Sequence, residues 1–442
     1  MIVKGKRDVK QIQDAFIQIF REELIPAIGC TEPTAIAYAA ARAREILGMV
    51  PEKMRITVSG DIVKNAKSAV VPNTGGMVGI RAAAAAGAIA GKGEKCLEVL
   101  AAVTDTQIEE IKEYFAKNII EVELSKSGRT FEILAEAFYG NSVARVQIAD
   151  SHTNLVYMEK DGEILLSRDL EQEAGEHREI YKLLNVKNII AFAETVELDE
   201  VKEIILRQVA YNTAISEEGL QKNYGANIGR TILELEGKGD VRVRARAKAA
   251  AGSDARMSGS ALPVVVVSGS GNQGITASVP VVEYAREAGV SEELMIRSLM
   301  VSDLVAIYLK DGIGKLSAFC GAVCAGVGAA CGIAFMKGGR EAEISHTIVN
   351  TVGIISGMIC DGAKPSCAAK IAAAVDSAIF GYEMYMAGNQ FRCGDGIVSC
   401  SADETVKNIG RLGSVGLKTA DEEILNMMLQ SERRDVSWYI NN

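Results

Sequence analysis

The sequence has no basic excess. Lys+Arg is 48 against Asp+Glu 57, a formal net charge of −9 at pH 7, whereas a nucleic-acid binder normally carries a basic balance or stripe. Proline is scarce, 7 in 442 residues, and hydrophobic residues make up 48%. Such a chain can fill a large core without disulfides or structural metals and does not belong to the disordered class. No signal peptide is expected, because Met1-Ile-Val-Lys-Gly-Lys-Arg-Asp reaches its charges before an apolar stretch can form. One stretch, Leu316 to Met336, is free of formal charge and about long enough to span a bilayer. It is mostly Gly, Ala and Cys, with few Leu, Ile or Phe, so a buried helix packed closely on its neighbours is expected instead. No repeat of solenoid period is present. What remains is a mildly acidic chain rich in Ala and Gly, long enough for two or three domains.

Helical and strand patterns segregate along it. Ile12, Phe16, Ile19 and Phe20 share one face of a predicted helix over 10–24. The loop IPAIGCTEP follows, then an Ala-rich helix over 34–47 for which Thr31, Glu32 and Pro33 supply a start signal. Residues 54–59 (MRITVS) read as a strand, 60–76 as an irregular Gly/Asn-containing loop, and 77–118 as helix again. Between 119 and 168 come β-rich runs, EVELS, TFEILAEAFY, ARVQIAD and the pair NLVYME/GEILLS, joined by the hairpin signal Lys160-Asp161-Gly162. Helical patterns return from 169, broken by the apolar run Leu262–Val267 and the loop SGSGNQG over 268–274. The expected fold is α+β: a mainly helical body (1–118 and 169–442) with a small mixed α/β subdomain (119–168). Ala/Gly-rich helices suit close packing within or between subunits, which is compatible with a homo-oligomer.

The nine cysteines carry the chemical signal. Without a secretory signal they fit a reducing cytoplasm, where thiols serve as ligands or catalytic groups more than as disulfides. Seven of them (Cys320, Cys324, Cys331, Cys360, Cys367, Cys393 and Cys400) lie between 320 and 400. Their spacings match neither paired C-x-x-C zinc sites nor a ferredoxin run, which leaves a ligand set assembled from distant loops. A helix from about 341 is expected to end near Cys360, with Gly362 and Pro365 stopping it. Ser366 can then cap the next helix, with Cys367 in its first turn. Free backbone N–H groups at a helix start lower a thiol pKa and can donate to cluster sulfurs, and Cys30 has the same setting before the helix near Thr34. Cys96, Cys324, Cys331, Cys393 and Cys400 read as small core residues. From these residues alone, a metal or Fe–S site and a set of buried thiols both stay open.

Six segments resemble a known family, the L-cysteine desulfidases, some members of which carry a UPF-type label. They are related to the alpha domain of iron–sulfur-dependent L-serine dehydratases. The segments are Ile28-Gly-Cys30-Thr-Glu-Pro33, Ser59-Gly-Asp-Ile-Val-Lys-Asn65, Val71-Pro-Asn-Thr-Gly-Gly76, Ser268-Gly-Ser-Gly-Asn-Gln-Gly274, Lys315-Leu-Ser-Ala-Phe-Cys-Gly321 and Cys360-Asp-Gly-Ala-Lys364. The resemblance implies an oxygen-labile 4Fe–4S cluster held by three cysteines, with one iron open to substrate. In the desulfidases the three positions match Cys30, Cys320 and Cys360. In the serine dehydratases a second cysteine follows the one matching Cys360, and Cys367 is its nearest equivalent across a shorter loop. Cys30 is therefore the expected third ligand, with Cys367 as the alternative.

What the resemblance further implies is a cytoplasmic lyase of cysteine catabolism. An iron with an open position acts as a Lewis acid. With the α-proton lost to a base, L-cysteine would eliminate sulfide and give pyruvate and ammonia without pyridoxal phosphate. Asn65, Asn73, Thr74, Gly75, Asn272, Gln273 and Gly274 are candidates to bind the substrate's carboxylate and amine, since Gly-rich turns let backbone N–H groups approach an anion. Cys30 and His152 are candidate catalytic residues. Ser151-His152-Thr153 resembles a Ser-His-Thr motif of the serine dehydratases, and Ser345-His346-Thr347 repeats the triplet; His177, in a charged helix, reads as solvated. The partner is then a small amino acid, not a nucleic acid or a membrane. Two alternatives are weighed against this reading: an L-serine dehydratase using the same site, and a non-catalytic Fe–S redox or iron sensor.

Overall fold

The computed structural model describes residues 6–169 and 179–430. The N-terminal part runs α1 (Lys6–Glu23), β1 (Pro26–Ile28), α2 (Thr31–Leu47), β2 (Lys53–Val58), α3 (Gly60–Ala66), α4 (Ile80–Ala90) and α5 (Asp105–Ala116). Five strands follow: β3 (Ile120–Leu124), β4 (Glu132–Tyr139), β5 (Ser142–Ala149), β6 (Leu155–Lys160) and β7 (Glu163–Ser167). The rest is helical apart from β8 (Pro263–Val265): α6 (Val186–Thr195), α7 (Lys202–Gln221), α8 (Ile228–Glu236) and α9 (Val241–Met257) before it, and α10 (Gly271–Ala288), α11 (Glu292–Ile313), α12 (Gly321–Met336), α13 (Glu341–Ile355), α14 (Cys367–Met386), α15 (Ala402–Arg411) and α16 (Lys418–Gln430) after it. This is the expected α+β fold with a mainly helical body.

The six-stranded sheet has the order β3-β2-β4-β5-β6-β7, with β2 parallel to β3 and every other pair antiparallel. Its strand β2 comes from before the β-rich segment and lies between β3 and β4. The expected hairpin forms at Asp161-Gly162, where both residues take positive φ (52° and 90°), as a two-residue turn matching strand twist requires. One face of this sheet is covered by α2, α4 and α5, and Met54, Ile56, Ile133, Ala135, Val146 and Ile148 share one apolar core with those helices. A second and larger core joins α1 with α6, α7, α9 and the helices α10 to α15. β1 pairs antiparallel with β8 and ties the start of α2 to the stretch leading into α10.

Small residues make this packing possible. A Cβ on Gly87 of α4 would collide with the Ala37 carbonyl of α2, and one on Gly328 of α12 with the Ser302 carbonyl of α11. The whole of α12 after Gly321 is buried, as expected for the charge-free stretch, and no described helix is long and apolar enough to cross a membrane.

Several local expectations need correction. The Ala-rich helix starts at Thr31 with Cys30 as its N-cap, because Thr34 Oγ1 bonds back to the Cys30 carbonyl (2.8 Å) and closes the first turn. The stretch 60–76 contains α3, held by its own backbone bonds and buried from Ile62 to Ala66. The second half of SGSGNQG is already helix, α10 starting at Gly271. The helix from 341 ends at Ile355, not near Cys360. Cys393 and Cys400 are not core thiols: they are disulfide-bonded, with their Cα atoms 4.5 Å apart. Cys96 is exposed. His177 lies outside the described residues.

Candidate active site

Two segments far apart in sequence meet edge to edge just before α12 and just after α13. Phe319 and Ile359 pair as an antiparallel bridge, with Cys320 N–H donating to Met358 O (3.0 Å) and Cys360 N–H to Ala318 O (2.7 Å). The bridge brings the Cys320 and Cys360 side chains face to face. The Cys320 thiol stabilises the Cys360 sulfur as thiolate, Lys64 and Lys310 add positive charge, and together they outweigh burial and lower the Cys360 pKa. The same interaction and burial raise Cys320, which also feels Cys367.

Lys64 is almost completely buried and pairs with Asp61 (3.0 Å) and with Asp421 of α16. Burial works against its charge, but Asp61, Cys360 and Asp421 hold it protonated. The chain after Cys360 turns tightly over this lysine: Gly362 has φ +97°, and a Cβ there would collide with the Lys64 carbonyl.

Cys367 opens α14. Ser366 occupies the N-cap position but makes no side-chain cap, and the Cys367 thiol donates to Gly362 O (3.6 Å). Its pKa is raised, not lowered: burial and the nearby Cys360 outweigh the helix start. Cys30, Ala69 and Met257 form a small buried cluster against which Ala363 and Cys367 pack. The structure thus brings Cys320, Cys360 and Cys367 together, with Cys367 also packed against the cluster that contains Cys30. Among the described residues no group of three His, Cys, Asp or Glu side chains is arranged to hold a single metal ion.

Glu32, in the first turn of α2, organises the Cys30 side of the site. Its carboxylate accepts from the Cys30 thiol (3.2 Å), Thr31 Oγ1 (3.1 Å) and Asn65 Nδ2 (3.3 Å), and His152 Nε2 lies 3.7 Å from its Oε1. Burial pushes this carboxyl up, but His152, the Cys30 thiol and its own backbone N–H overcome that and hold it at about 2. Burial and the Glu32 charge push the Cys30 thiol well above its ordinary value, against the expectation of an activated thiolate there. His152 is buried, edge-on to Phe131 with ring centroids 4.7 Å apart, and its Nε2 has no hydrogen-bond partner.

The stretch 268–274 links these groups. Gly269, at φ +75°, backs the His152 ring, where a Cβ would approach Cε1 to 2.7 Å. Gln273 lies on Gly321, next to Cys320, and its Oε1 is buried without a partner. Asn272 Oδ1 accepts from Arg256 Nη1 (3.1 Å). Gly274 is a packing position, since a Cβ there would collide with the Val265 carbonyl. Asn73, Thr74 and Gly75 sit in a turn whose polar side chains bond backbone: Asn73 Nδ2 to Leu100 O (2.9 Å) and Thr74 Oγ1 to Val71 O (2.8 Å). Gly75 faces Ile108 and Lys112 of α5. His346 stands apart, stacked on Tyr385 at 4.4 Å beside a surface cleft lined by Glu343, Met386 and Gln390.

The family model described as serine dehydratase alpha chain matches residues 94–426. The chain belongs to the serine dehydratase alpha chain family. It is 54% identical over 415 residues to a UPF0597 protein of Desulfitobacterium hafniense, covering 94% of this chain and 96% of that one. A UPF0597 protein of Treponema denticola is 48% identical over 427 residues, covering 95% and 99%. One of Lachnoclostridium phytofermentans is 44% identical over 413 residues, covering 93% and 99%. Membership in the serine dehydratase alpha chain family points to a lyase.

Within the segment matched to that family lie His152, Arg256, Gln273, Cys320, Cys360 and Cys367; Cys30, Glu32 and Lys64 precede it. Three of these residues were given no chemical role by the sequence, Glu32 serving there only as part of a helix start signal. Glu32 and Lys64 stood inside quoted motifs, so their signal was present but silent about contacts. Arg256 stood in none. Its only signal is an isolated cation at the end of an Ala/Gly/Ser-rich helix, which an exposed arginine would give equally well.

Proposed function

We propose that the protein is an iron–sulfur-dependent β-eliminating lyase, an L-cysteine desulfidase that converts L-cysteine to pyruvate, ammonia and sulfide. The observation that carries the reading is the bridge that sets Cys320 and Cys360 face to face, with Cys367 near enough to act on both and Gln273 Oε1 buried without a partner beside Gly321. Several thiols around one space, one of them biased to thiolate, suit the thiolate chemistry of a cluster; a lone ion would ask for a tighter donor set. Cys320 and Cys360 would hold a 4Fe–4S cluster with Cys30 or Cys367 as the third ligand. When bound, the cluster supplies a Lewis-acidic iron that makes the substrate's sulfur a better leaving group.

The chain's own residues do the rest. His152 Nε2, buried 3.7 Å from the Glu32 carboxylate, takes the α-proton from its neutral form, and Glu32 stabilises the imidazolium that results. The electron pair of the Cα–H bond forms the Cα–Cβ double bond as the Cβ–S bond breaks and its pair leaves on sulfur. The aminoacrylate so formed is hydrolysed to pyruvate and ammonia. Gln273, seated on the residue after Cys320, faces the same space and can accept from the substrate's ammonium.

L-serine is the second reading, favoured by the family match and by the place of Cys367 beside Cys360. One side-chain atom separates the two substrates. Anaerobic reconstitution followed by side-by-side measurement of pyruvate release from L-cysteine and L-serine tests the proposal. Faster turnover of cysteine with stoichiometric sulfide supports it, faster turnover of serine replaces it with the dehydratase, and release from neither amino acid sinks both.

A further inference from the structure

The geometry points to Arg256 and the first turn of α10 as the seat of the substrate's α-carboxylate; the inference rests on the amino-acid lyase reading above. Arg256 sits in the last turn of α9 and is 3% exposed. Its Nη1 donates to Asn272 Oδ1, while Nε and Nη2 are buried with no partner. Among the described residues no carboxylate pairs with it. A guanidinium withdrawn from water and left without an anion is costly, so the arrangement is complete only with a ligand of negative charge.

The free atoms are a specific pair. Nε–H and Nη2–H form one edge of the planar guanidinium, the edge that meets a carboxylate with two parallel hydrogen bonds. Asn272 occupies the remaining nitrogen and so holds the plane in one orientation. Gly271 lies against the guanidinium, where a Cβ would meet Nε at 2.4 Å and Cζ at 2.9 Å; only a glycine lets the start of the helix come so close. Helix α10 is 18 residues long, and its N-cap Ser270 makes no side-chain cap. The first-turn N–H groups and the positive end of the helix dipole therefore face the same place as the arginine edge.

The position fits an α-amino acid. Arg256 is close enough to Cys30 for its charge to act on that thiol, Gly269 two residues before Gly271 backs His152, and Gln273 two residues after it lies by Cys320. An anion held on the arginine edge thus has its α-carbon between the proton acceptor and the thiol pocket. Monocarboxylates with an α-amino group are the ligand class, and amides or esters of the same amino acids are excluded because they bring no charge to the fork.

Calorimetric titration of the full-length chain with L-alanine, which has no leaving group, tests the seat without turnover. The wild type is expected to bind L-alanine at least tenfold more tightly than L-alaninamide. Arg256→Gln should weaken L-alanine binding about 100-fold and Arg256→Lys, which keeps the charge but not the fork, about tenfold. Arg286→Gln, an exposed change in the last turn of α10, should leave binding unchanged. In turnover the Arg256→Gln defect should fall mainly on KM. If Arg256→Gln does not fold, Arg256→Lys and Asn272→Ala carry the test: wild-type affinity in both overturns the seat, as does equal binding of alanine and alaninamide or no alanine binding by the wild type. Alanine binding that depends on Arg256, with no pyruvate released from cysteine or serine, supports the seat and sinks the lyase reading instead.

Discussion

Cys324 is buried and Cys360 is half-buried, and the two thiols are opposite chemical objects. In the helical core, burial dominates: it raises Cys324 to about 11 against the opposing charge of Lys310, raises Cys331 further, and raises Asp303 to about 7 against the hydrogen bond from Gln208. Where that core meets the sheet unit, desolvation also acts, but each group has a partner that reverses it. Glu32 is held at about 2 by His152 and the Cys30 thiol, and Cys360 is lowered by Cys320 and Lys64. Low dielectric magnifies whatever charge is nearby. A buried thiol is therefore inert or reactive according to its neighbours, and burial alone does not separate the two.

The contrast can be broken at either end. The largest effect is expected at Cys360→Ala or Cys320→Ala: after anaerobic reconstitution, iron and acid-labile sulfide should be lost and turnover should fall by roughly three orders of magnitude or more. Cys324→Ala, four residues along from Cys320, should keep both; loss of iron there would erase the distinction between the two regions. Asp303→Asn probes the core through pH. The folded pKa lies above the unfolded value, so the native state holds the proton longer, and this group's contribution to stability falls as pH rises from about 4 to 7. The asparagine variant, which keeps the acceptor for Gln208 Nε2, should gain about 3 kcal/mol over the wild type between pH 4 and pH 8 in paired denaturation curves. An unchanged difference would show Asp303 to be ionised in the fold.

Smaller effects sharpen the picture. Cys324→Ala should cost about 1–2 kcal/mol by chemical denaturation, the cost of a small cavity in a tight core. Cys96→Ala, at an exposed thiol, should stay within about 0.5 kcal/mol and leave iron content and turnover untouched.

Much of the fold was legible because it is written in local periodicity. The alternating runs of 119–168 become β3 to β7, and the Asp-Gly pair becomes the turn it signals. The Gly/Ala composition of 321–336 becomes a helix that touches α11 backbone to backbone. The errors are instructive in the same terms. Residues 60–66 look like loop because Gly60 and Asn65 are poor helix formers, yet burial of Ile62, Val63 and Ala66 overrides propensity. Cys393 and Cys400 look like core thiols because sequence carries no solvent exposure. The expectation of a lowered Cys367 pKa rested on the helix start alone and missed the desolvation that outweighs it. At the candidate site, the cysteines and the Gly-rich loop stood out as residue types, whereas the Lys64–Asp421 pair and the Arg256 fork join positions 357 and 16 residues apart without a pattern to announce them.

By itself the sequence determined the classes: which stretches are strand and helix, that helices would pack closely, and which residue types could do chemistry. It did so because those properties depend on neighbours within a turn or two along the chain. Only the tertiary structure decided which thiols face one another, which carboxylate is ionised, and which arginine is left with an open edge. Charge and desolvation act through space, and the groups that set them at this site come from α2, α3, β5's end, α9, α10 and both sides of the Cys320–Cys360 bridge.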